Sequence, residues 1–434
     1  MIMEVITKEL AQDVRLHMIP QDNLKTTLIK VFFHWPLGNF NGHMGIVPRV
    51  LKRGTKDYPT FLEFNEKLEE MYGADFVTGL HKKGERQLIE LRLEMVGEDF
   101  LLEQDRQKSS FNEGINLLSK VLFEPVLEED GFATSTVEKE KQNQLDRISN
   151  QKDDKINYSV ERMIKHMCQD EPFGESKFGN EKEIEKITGK SLYESYKRLL
   201  ESAPIDIFVM GHFSKSVAEK AVTDKLKFSN RKDTPDFNVQ VNKELFEEKE
   251  INEYQDVNQG KLCLGFRTQI NYKQPKIYPL MLFNGLLGGF SHSRLFRVVR
   301  EEHSLCYYVF SRLEKSKGIM VINAGIDPKD YDQTNSLIKT ELENLKNGDF
   351  TDKELEMTRK AILSALIQLE DNPDAIAETL LEGIINGKKP VTPEEVRNKL
   401  QAVDSTEITK AGKNVHLDTI YLMAKTSNEK VGVT

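Results

Sequence analysis

Apolar and polar positions alternate with a period of two in short stretches near the amino terminus, and this pattern predicts β-strands. Val14, Leu16 and Met18 share one face of a strand within residues 1–19. A second strand is predicted at residues 26–35, where β-branched and aromatic residues dominate. The amino-terminal part of the chain is therefore expected to contribute strands to a sheet.

A period of three to four residues predicts helices between the strands. Residues 45–53 have the apolar spacing of a helix that stops at Gly54. Thr60 can cap the next helix, with Glu63 in the capping-box position. Residues 134–148 are strongly charged, which predicts a mostly solvated helix.

The order of predicted elements occurs twice along the chain. Three strands of the second half correspond to three of the first, namely residues 261–268 to 28–35, 318–327 to 88–95, and 418–424 to 205–211. Two units with the same order of elements indicate an internal duplication. Runs of strands mixed with helix pairs favour an α+β fold, in which each half is a mostly antiparallel sheet with helices on one face.

Residues 226–248 differ in character from the flanking sequence. They are polar, contain one proline and have no sustained period, which predicts a surface linker. The charged stretch EEKEINEYQD, which overlaps the end of this linker, predicts solvated surface. The predicted organisation is an amino-terminal domain over residues 1–225, the linker, and a carboxy-terminal domain over residues 249–434.

Composition limits the classes of partner. The 434 residues carry a formal net charge of −9, which argues against a nucleic-acid footprint. No apolar run reaches the roughly 18 residues of a membrane span, and the start MIMEVITKEL has no signal-peptide pattern. Cys168, Cys263 and Cys306 are far apart in apolar contexts, so we expect buried free thiols and a cytoplasmic protein.

The strongest chemical signal is the stretch FNGLLGGFSHSRLFRVVREEHSLCYYVF. A glycine-rich turn (Gly285, Gly288 and Gly289) leads into a short amphipathic helix that ends at Arg300. Tyr307 follows seven positions later, at the start of a β-rich run. A guanidinium and a phenol are good donors to a peptide carbonyl or carboxylate, so this pair is a candidate for substrate binding.

Spacing alone leaves other interpretations open. Arg300 could pair with a nearby Glu and Tyr307 could fill the edge of a core, and spacing alone favours this structural interpretation. The glycines lack a phosphate-loop or dinucleotide fingerprint, so tight packing of a helix on a strand is favoured for them. A metal or acid–base pair of His292 and His303 is disfavoured by their separation. Trp35 is most simply a core or interface anchor.

The whole chain resembles the pitrilysin, insulinase and mitochondrial processing peptidase family. The stretch LLGGFSHSRLFRVVREEHSLCYYVFS is similar to its carboxy-terminal signature of Gly-Gly, Ser-Arg-Leu-Phe, Arg-Glu and Leu-x-Tyr, and GDFTDKELEMTRK is similar to the helix start that follows. The resemblance implies two homologous halves joined by the linker as a clamshell. At closer range the chain resembles a non-catalytic Bacillota subgroup that is encoded as pairs and associated with elongation factor P modification.

Active members of that family carry the zinc motif H-x-x-E-H on the first helix, where two imidazoles bind the metal and the Glu polarises water. Alignment on Gly54-Thr55 puts Gly45, Pro48 and Arg49 at these positions. Glycine has no ligand atom, proline accepts no proton, and arginine repels a dication. The third ligand of the family falls near Asp146, the one residue there that could bind a metal.

Arg300 and Tyr307 match the Arg and Tyr with which the family holds substrate beside the metal. The resemblance implies a non-catalytic, substrate-binding subunit of a heteromeric zinc peptidase that processes peptides. No zinc is expected in this chain, and a paired pitrilysin-like paralogue would supply it; a homodimer is possible in isolation. The alternatives are a structural or assembly protein, like the core subunits of a respiratory complex, and a peptide-maturation factor that acts without hydrolysis.

Overall fold

The computed structural model describes residues 3–38, 40–103, 109–229, 231–237, 239, 241, 247–387 and 389–425. The strands in chain order are β1 (Ile6–Ala11), β2 (Val14–Pro20), β3 (Thr26–Pro36), β4 (Asp75–Lys83), β5 (Arg86–Val96), β6 (Leu127–Glu128), β7 (Gly131–Phe132), β8 (Ile205–Gly211), β9 (Lys249–Tyr254), β10 (Gly260–Arg267), β11 (Cys306–Glu314), β12 (Ile319–Ile326) and β13 (His416–Ala424).

The α-helices in chain order are α1 (Asn41–Leu51), α2 (Phe61–Glu70), α3 (Ser110–Phe123), α4 (Thr134–Asn150), α5 (Lys155–Met167), α6 (Glu181–Glu185), α7 (Gly189–Ser202), α8 (Lys215–Lys225), α9 (Ile277–Asn284), α10 (Tyr331–Lys346), α11 (Asp352–Leu369), α12 (Pro373–Gly387), α13 (Pro393–Gln401) and α14 (Ser405–Gly412). Two π-helical segments lie at Gly285–Gly289 and Phe296–Glu302. Within the described ranges, no helix is both long enough and apolar enough to cross a bilayer.

The chain forms two compact units. The first contains the described residues of 1–149 and 175–238, and the second contains those of 150–174 and 239–434. The main sheet of the first unit has the strand order β1-β2-β8-β3-β5-β4, and that of the second has the order β11-β12-β10-β13-β9. Read in opposite directions, the five strands of the second sheet correspond to β2-β8-β3-β5-β4 of the first, which has β1 as an additional edge strand. Each sheet includes one parallel pair at the same place, β2 with β8 and β9 with β13. The predicted α+β fold with two homologous halves is confirmed.

Several local predictions are also confirmed. The Thr60 N–H donates to Glu63 Oε2 at 3.0 Å and the Glu63 N–H donates to Thr60 Oγ1 at 3.2 Å, which is the predicted capping box. All three cysteines are free and buried. Tight packing explains Gly288, because a Cβ there would lie 2.8 Å from the backbone nitrogen of Ser311 on β11. Trp35 packs against the core of the first unit.

Other local predictions are wrong. The predicted single strand within residues 1–19 is instead the hairpin of β1 and β2 over residues 6–20, because the chain turns tightly at Asp13, which has a φ of 55°. The strand β9 was not predicted; it lies in the charged stretch EEKEINEYQD, whose side chains are exposed or half-buried, as expected for solvated surface, and its backbone pairs with β13. The glycine-rich segment at residues 285–289 continues α9 as a π-helix instead of forming a turn.

Residues 150–174 belong to the first half of the duplication and pack in the second unit. Helix α5 places Val160, Met163 and Met167 in an apolar cluster with Val321 and with other residues of the second sheet. The predicted domain limits follow the two halves of the sequence, whereas the second packing unit also takes this segment from the first half.

A buried ionic network fastens this segment to the second sheet. The Arg267 guanidinium donates to both carboxylate oxygens of Glu171, at 2.6 and 3.0 Å, and to Asp418 at 2.9 Å. The Lys317 ammonium lies 2.6 Å from Glu171. Burial raises the pKa of Glu171, but hydrogen bonds from Arg267 and Lys317 outweigh burial and bring that pKa down to about 2. Two cations therefore balance two anions in the interior.

We expect Glu171→Gln to destabilise the second unit by about 3–5 kcal/mol, because Arg267 and Lys317 would then share a single carboxylate in a buried site. Calorimetry and hydrogen exchange of α5 measure this loss. Lys190→Gln is the matched control, since Lys190 and Asp130 form an exposed ion pair, at 2.6 Å, that contributes little. Melting curves that are the same for Glu171→Gln and wild type would contradict the role of the network.

The same network makes stability fall in acid. The pKa of Glu171 in the folded chain, about 2, is below its ordinary value of 4.5. Its contribution to stability is therefore fully present above about pH 4.5 and is lost as the pH falls toward 2. We expect the melting temperature of the wild type to fall more steeply than that of Glu171→Gln across this range. Parallel pH profiles for the two proteins would exclude Glu171 as the source.

Candidate functional site

Helix α1 carries the three zinc-motif positions and begins at Asn41, four residues earlier than predicted. At Gly45, a Cβ would lie 2.4 Å from Nε2 of Gln144 on α4. Gln144 is fully buried, and its amide donates to the carbonyl of Phe178 at 3.0 Å. The space that a histidine at position 45 would need is therefore filled by the Gln144 side chain.

Arg49 on α1 and Arg53, which lies two residues after the end of that helix, both interact with one carboxylate of α4. Nη1 of Arg49 lies 3.8 Å from Oε2 of Glu140, and Nε of Arg53 donates to Oε1 of Glu140 at 2.6 Å. Glu140 is only 2% exposed, so its charge needs partners within the protein. The two guanidinium groups already supply positive charge beside this carboxylate and would repel a dication. Pro48 has no side-chain atom that can bind a metal.

Asp146, the candidate third ligand, is exposed, and its Oδ1 accepts a hydrogen bond from Nε2 of Gln142 on the same helix at 2.8 Å. The buried residues of α4 include Glu140 and Gln144, which lie four positions apart and contact α1. Sequence reasoning missed both. The helical phase of α4 could have indicated them, because Val137 and Gln144 are seven positions apart on one face.

The residues at the zinc-motif positions do not fit a zinc ion. Gln144 occupies the space beside Gly45, and Arg49 brings a cation to the place of a ligand. Across the part of the chain that the structure describes, no group of three or more His, Cys, Asp or Glu residues is arranged to hold a metal. No hydrolytic step can be assigned to these residues.

Arg300 lies in the π-helical segment Phe296–Glu302 of the second unit. Its side chain is 39% exposed, and its Nε is 3.7 Å from Oε1 of Glu301. Its Cζ lies 4.5 Å from the centre of the Phe296 ring. Neither contact is a hydrogen bond, so neither uses the N–H groups of the guanidinium to satisfy an acceptor.

Tyr307 lies at the start of β11, an edge strand of the second sheet, and is 64% exposed. In the ladder with β12, Cys306 pairs with Ile326 and Tyr308 pairs with Gly325. Tyr307 is therefore the extra residue of a β-bulge, an irregularity that re-aims a side chain at a sheet edge. The phenol is therefore exposed at the start of an edge strand.

Arg300 and Tyr307 stand on the two sides of one tight connection. The Ser304 N–H donates to the Arg300 carbonyl at 3.1 Å, and Ser304 has a φ of 53°. Burial raises the pKa of Cys306 to about 11, and the charge of Arg300 partly opposes that rise. The charge of Arg300 thus acts on the residue that directly precedes Tyr307.

The two histidines near this segment have separate local partners. Nε2 of His292 lies 3.2 Å from Oγ1 of Thr358, whereas Nδ1 of His303 lies 2.9 Å from the Val298 carbonyl oxygen. Each histidine therefore has its own local contact, and neither contact joins the two residues.

The fold is a duplicated α+β fold. One half has zinc-motif positions that do not fit a metal, and the other half exposes the donors Arg300 and Tyr307. Together these features define a non-catalytic relative of a metallopeptidase. Residues 186–362 match the family described as "Peptidase M16 inactive domain". The chain is 34% identical over 381 residues to the "Probable inactive metalloprotease YmfF" of Bacillus subtilis (strain 168), covering 88% of each chain. The chain belongs to the peptidase M16 family, among its inactive members, which have no catalytic role of their own.

Two further comparisons agree with this assignment. The chain is 27% identical over 229 residues to the "Uncharacterized zinc protease YmxG" of the same Bacillus strain, covering 52% of this chain and 54% of that protein. A crystal structure of a conserved protein from Enterococcus faecalis V583 superposes with a TM-score of 0.88 at 27% identity, covering 98% of this chain and 100% of that one. The predicted pitrilysin-like family is confirmed.

Restoring the motif residues should not restore the metal. We expect the triple variant Gly45→His, Pro48→Glu, Arg49→His to bind zinc no better than the wild type, because Gln144 occupies the space of the first imidazole and the nearby Glu140 carboxylate is bound by Arg53. Metal analysis after dialysis against zinc measures the binding, and circular dichroism checks that the variant is folded. One zinc per folded triple variant would contradict this account.

Proposed function

We propose that this chain is the non-catalytic, substrate-binding subunit of a heteromeric pitrilysin-like zinc peptidase that processes peptides. A paired, zinc-bearing paralogue supplies the metal. The observation that carries the proposal is the exposure of Arg300 and Tyr307 on an irregular π-helix and a β-bulge. Irregular backbone of this kind is frequent at functional sites, and neither residue lies in the apolar core of its unit.

The chemistry of the pair suits a peptide backbone. The Arg300 guanidinium is a fixed fork of donors, and the Tyr307 hydroxyl is a single donor. Both would donate to carbonyls next to the scissile bond and to the oxyanion that forms when water attacks. As an edge strand, β11 would offer main-chain hydrogen bonds near Tyr307 to an extended guest with little choice of sequence.

The pairing is supported by the two Bacillus relatives. One is named an inactive metalloprotease and the other a zinc protease, so one organism contains both kinds of protein. In this proposal the domains are residues 1–225 and 249–434 with a linker at residues 226–248, and the protein works in the cytoplasm. The link to elongation factor P modification stays a prediction from the resemblance.

We expect Arg300→Ala to lower kcat/KM of the two-chain peptidase by about 10²-fold, since one preorganised donor to an oxyanion is typically worth about 10²–10³. Tyr307→Phe should also lower kcat/KM, because it removes the hydroxyl donor while the ring stays in place. The measurement is the hydrolysis of an unfolded peptide by this chain mixed with its paired zinc-bearing paralogue.

Arg198→Ala is the control for the loss of one positive charge, because Arg198 is an exposed residue of α7 in the first unit. Gel filtration of each mixture establishes that the two chains associate. Full activity of an assembled Arg300→Ala mixture would overturn the assigned role. An assembled wild-type mixture without hydrolysis would favour a structural or peptide-maturation protein.

A further inference from the structure

The π-helical segment Phe296–Glu302 divides its side chains between the core and the surface. Val299, and Leu295 directly before the segment, are fully buried in the core of the second unit. Phe296 is half-buried, lies outside that core, and lines an open cleft of about 590 Å³ together with Met357. The Phe296 ring is therefore available for contacts at the surface of the second unit.

The wide helical turn brings this ring and the guanidinium of Arg300 together. The His303 N–H donates to the Val298 carbonyl, five residues earlier, at 3.2 Å, which is the spacing of a π-helix. Four positions separate Phe296 from Arg300, and Cζ of Arg300 lies 4.5 Å from the ring centre. A guanidinium within about 6 Å of a ring centre is attracted by the negative face of the ring.

A neighbouring carboxylate competes for the same guanidinium. Oε1 of Glu301 is 3.7 Å from Nε of Arg300, whereas Oε1 of Glu302 is 3.6 Å from Nε of Arg297. A long, exposed arginine without a platform would sample rotamers that pair with Glu301, and its donors would then be used up. Contact with the ring face leaves the N–H groups, which lie in the guanidinium plane, free to donate at its edge.

We propose that Phe296 is the positioning residue of the substrate-binding pair, whose ring holds the Arg300 guanidinium ready to donate to a peptide carbonyl. This inference rests on the proposed function of Arg300 and adds a residue to it. The guest is recognised through its backbone carbonyl or a carboxylate, and Phe296 acts only through Arg300.

The test compares Phe296→Leu with the ring-preserving Phe296→Tyr. Binding of fluorescein-labelled β-casein, an unfolded polypeptide, is measured by fluorescence anisotropy. We expect Phe296→Leu to weaken binding by about 2- to 5-fold, which corresponds to an exposed cation–π contact, and Phe296→Tyr to bind like the wild type. In the Arg300→Ala background, Phe296→Leu should have no further effect, because the two residues act as one unit.

A second readout does not depend on peptide binding. In NMR spectra of the chain with labelled arginine, the ring current of Phe296 should shift the side-chain protons of Arg300 upfield. This shift should persist in Phe296→Tyr and disappear in Phe296→Leu. Arg300 signals that are unchanged in Phe296→Leu would overturn the positioning role.

The two readouts separate the two proposals. If Arg300→Ala binds β-casein as well as the wild type, the substrate-binding role of Arg300 fails, and the NMR shift alone decides whether Phe296 positions it. If Arg300→Ala weakens binding, two results would show that Phe296 acts through packing instead. One is that the effects of Phe296→Leu and Arg300→Ala on binding add fully, and the other is that Phe296→Tyr binds as weakly as Phe296→Leu.

Discussion

The buried carboxylate of Glu140 needs compensation by positive charge, and in this chain Arg49 on α1 and Arg53 shortly after that helix provide it. An unpaired charge in such a site would cost several kcal/mol, so the pairing with Arg49 and Arg53 fixes how α1 and α4 meet. Gln144 closes the remaining space beside Gly45. The first unit thus packs its zinc-motif helix through residues that do not fit a zinc ion. The functional interpretation of the whole chain depends on this contact.

The two halves keep one strand order but use it differently. In the first unit, helix α1, which carries the zinc-motif positions, packs against α4. The second unit departs from regular geometry twice within a dozen residues. A π-helix presents Arg300 and a β-bulge presents Tyr307. Such irregularities do not maximise backbone pairing, and they persist where the surrounding structure supports them.

The sequence predicted what is encoded locally. Strand β8 could be predicted from its run of apolar residues, and the cap at Thr60 from two residues three positions apart. Contacts between distant segments were not accessible in this way. Nothing near Glu171 indicates that it binds Arg267, 96 residues later. The charged strand β9 was missed because its hydrogen bonds to β13 outweigh its polar composition. Gln144 was not predicted because an amide is not a typical zinc ligand. Asp146 carries a carboxylate and was the predicted ligand, but the phase of α4 leaves it exposed.

The most direct test of this account is the zinc content of each chain, measured after an active mixture of this chain and its zinc-bearing paralogue has been separated under mild conditions. The account predicts one zinc per paralogue, none in this chain, and peptide turnover only by the mixture. Stoichiometric zinc in this chain, or peptide turnover by this chain alone, would contradict it.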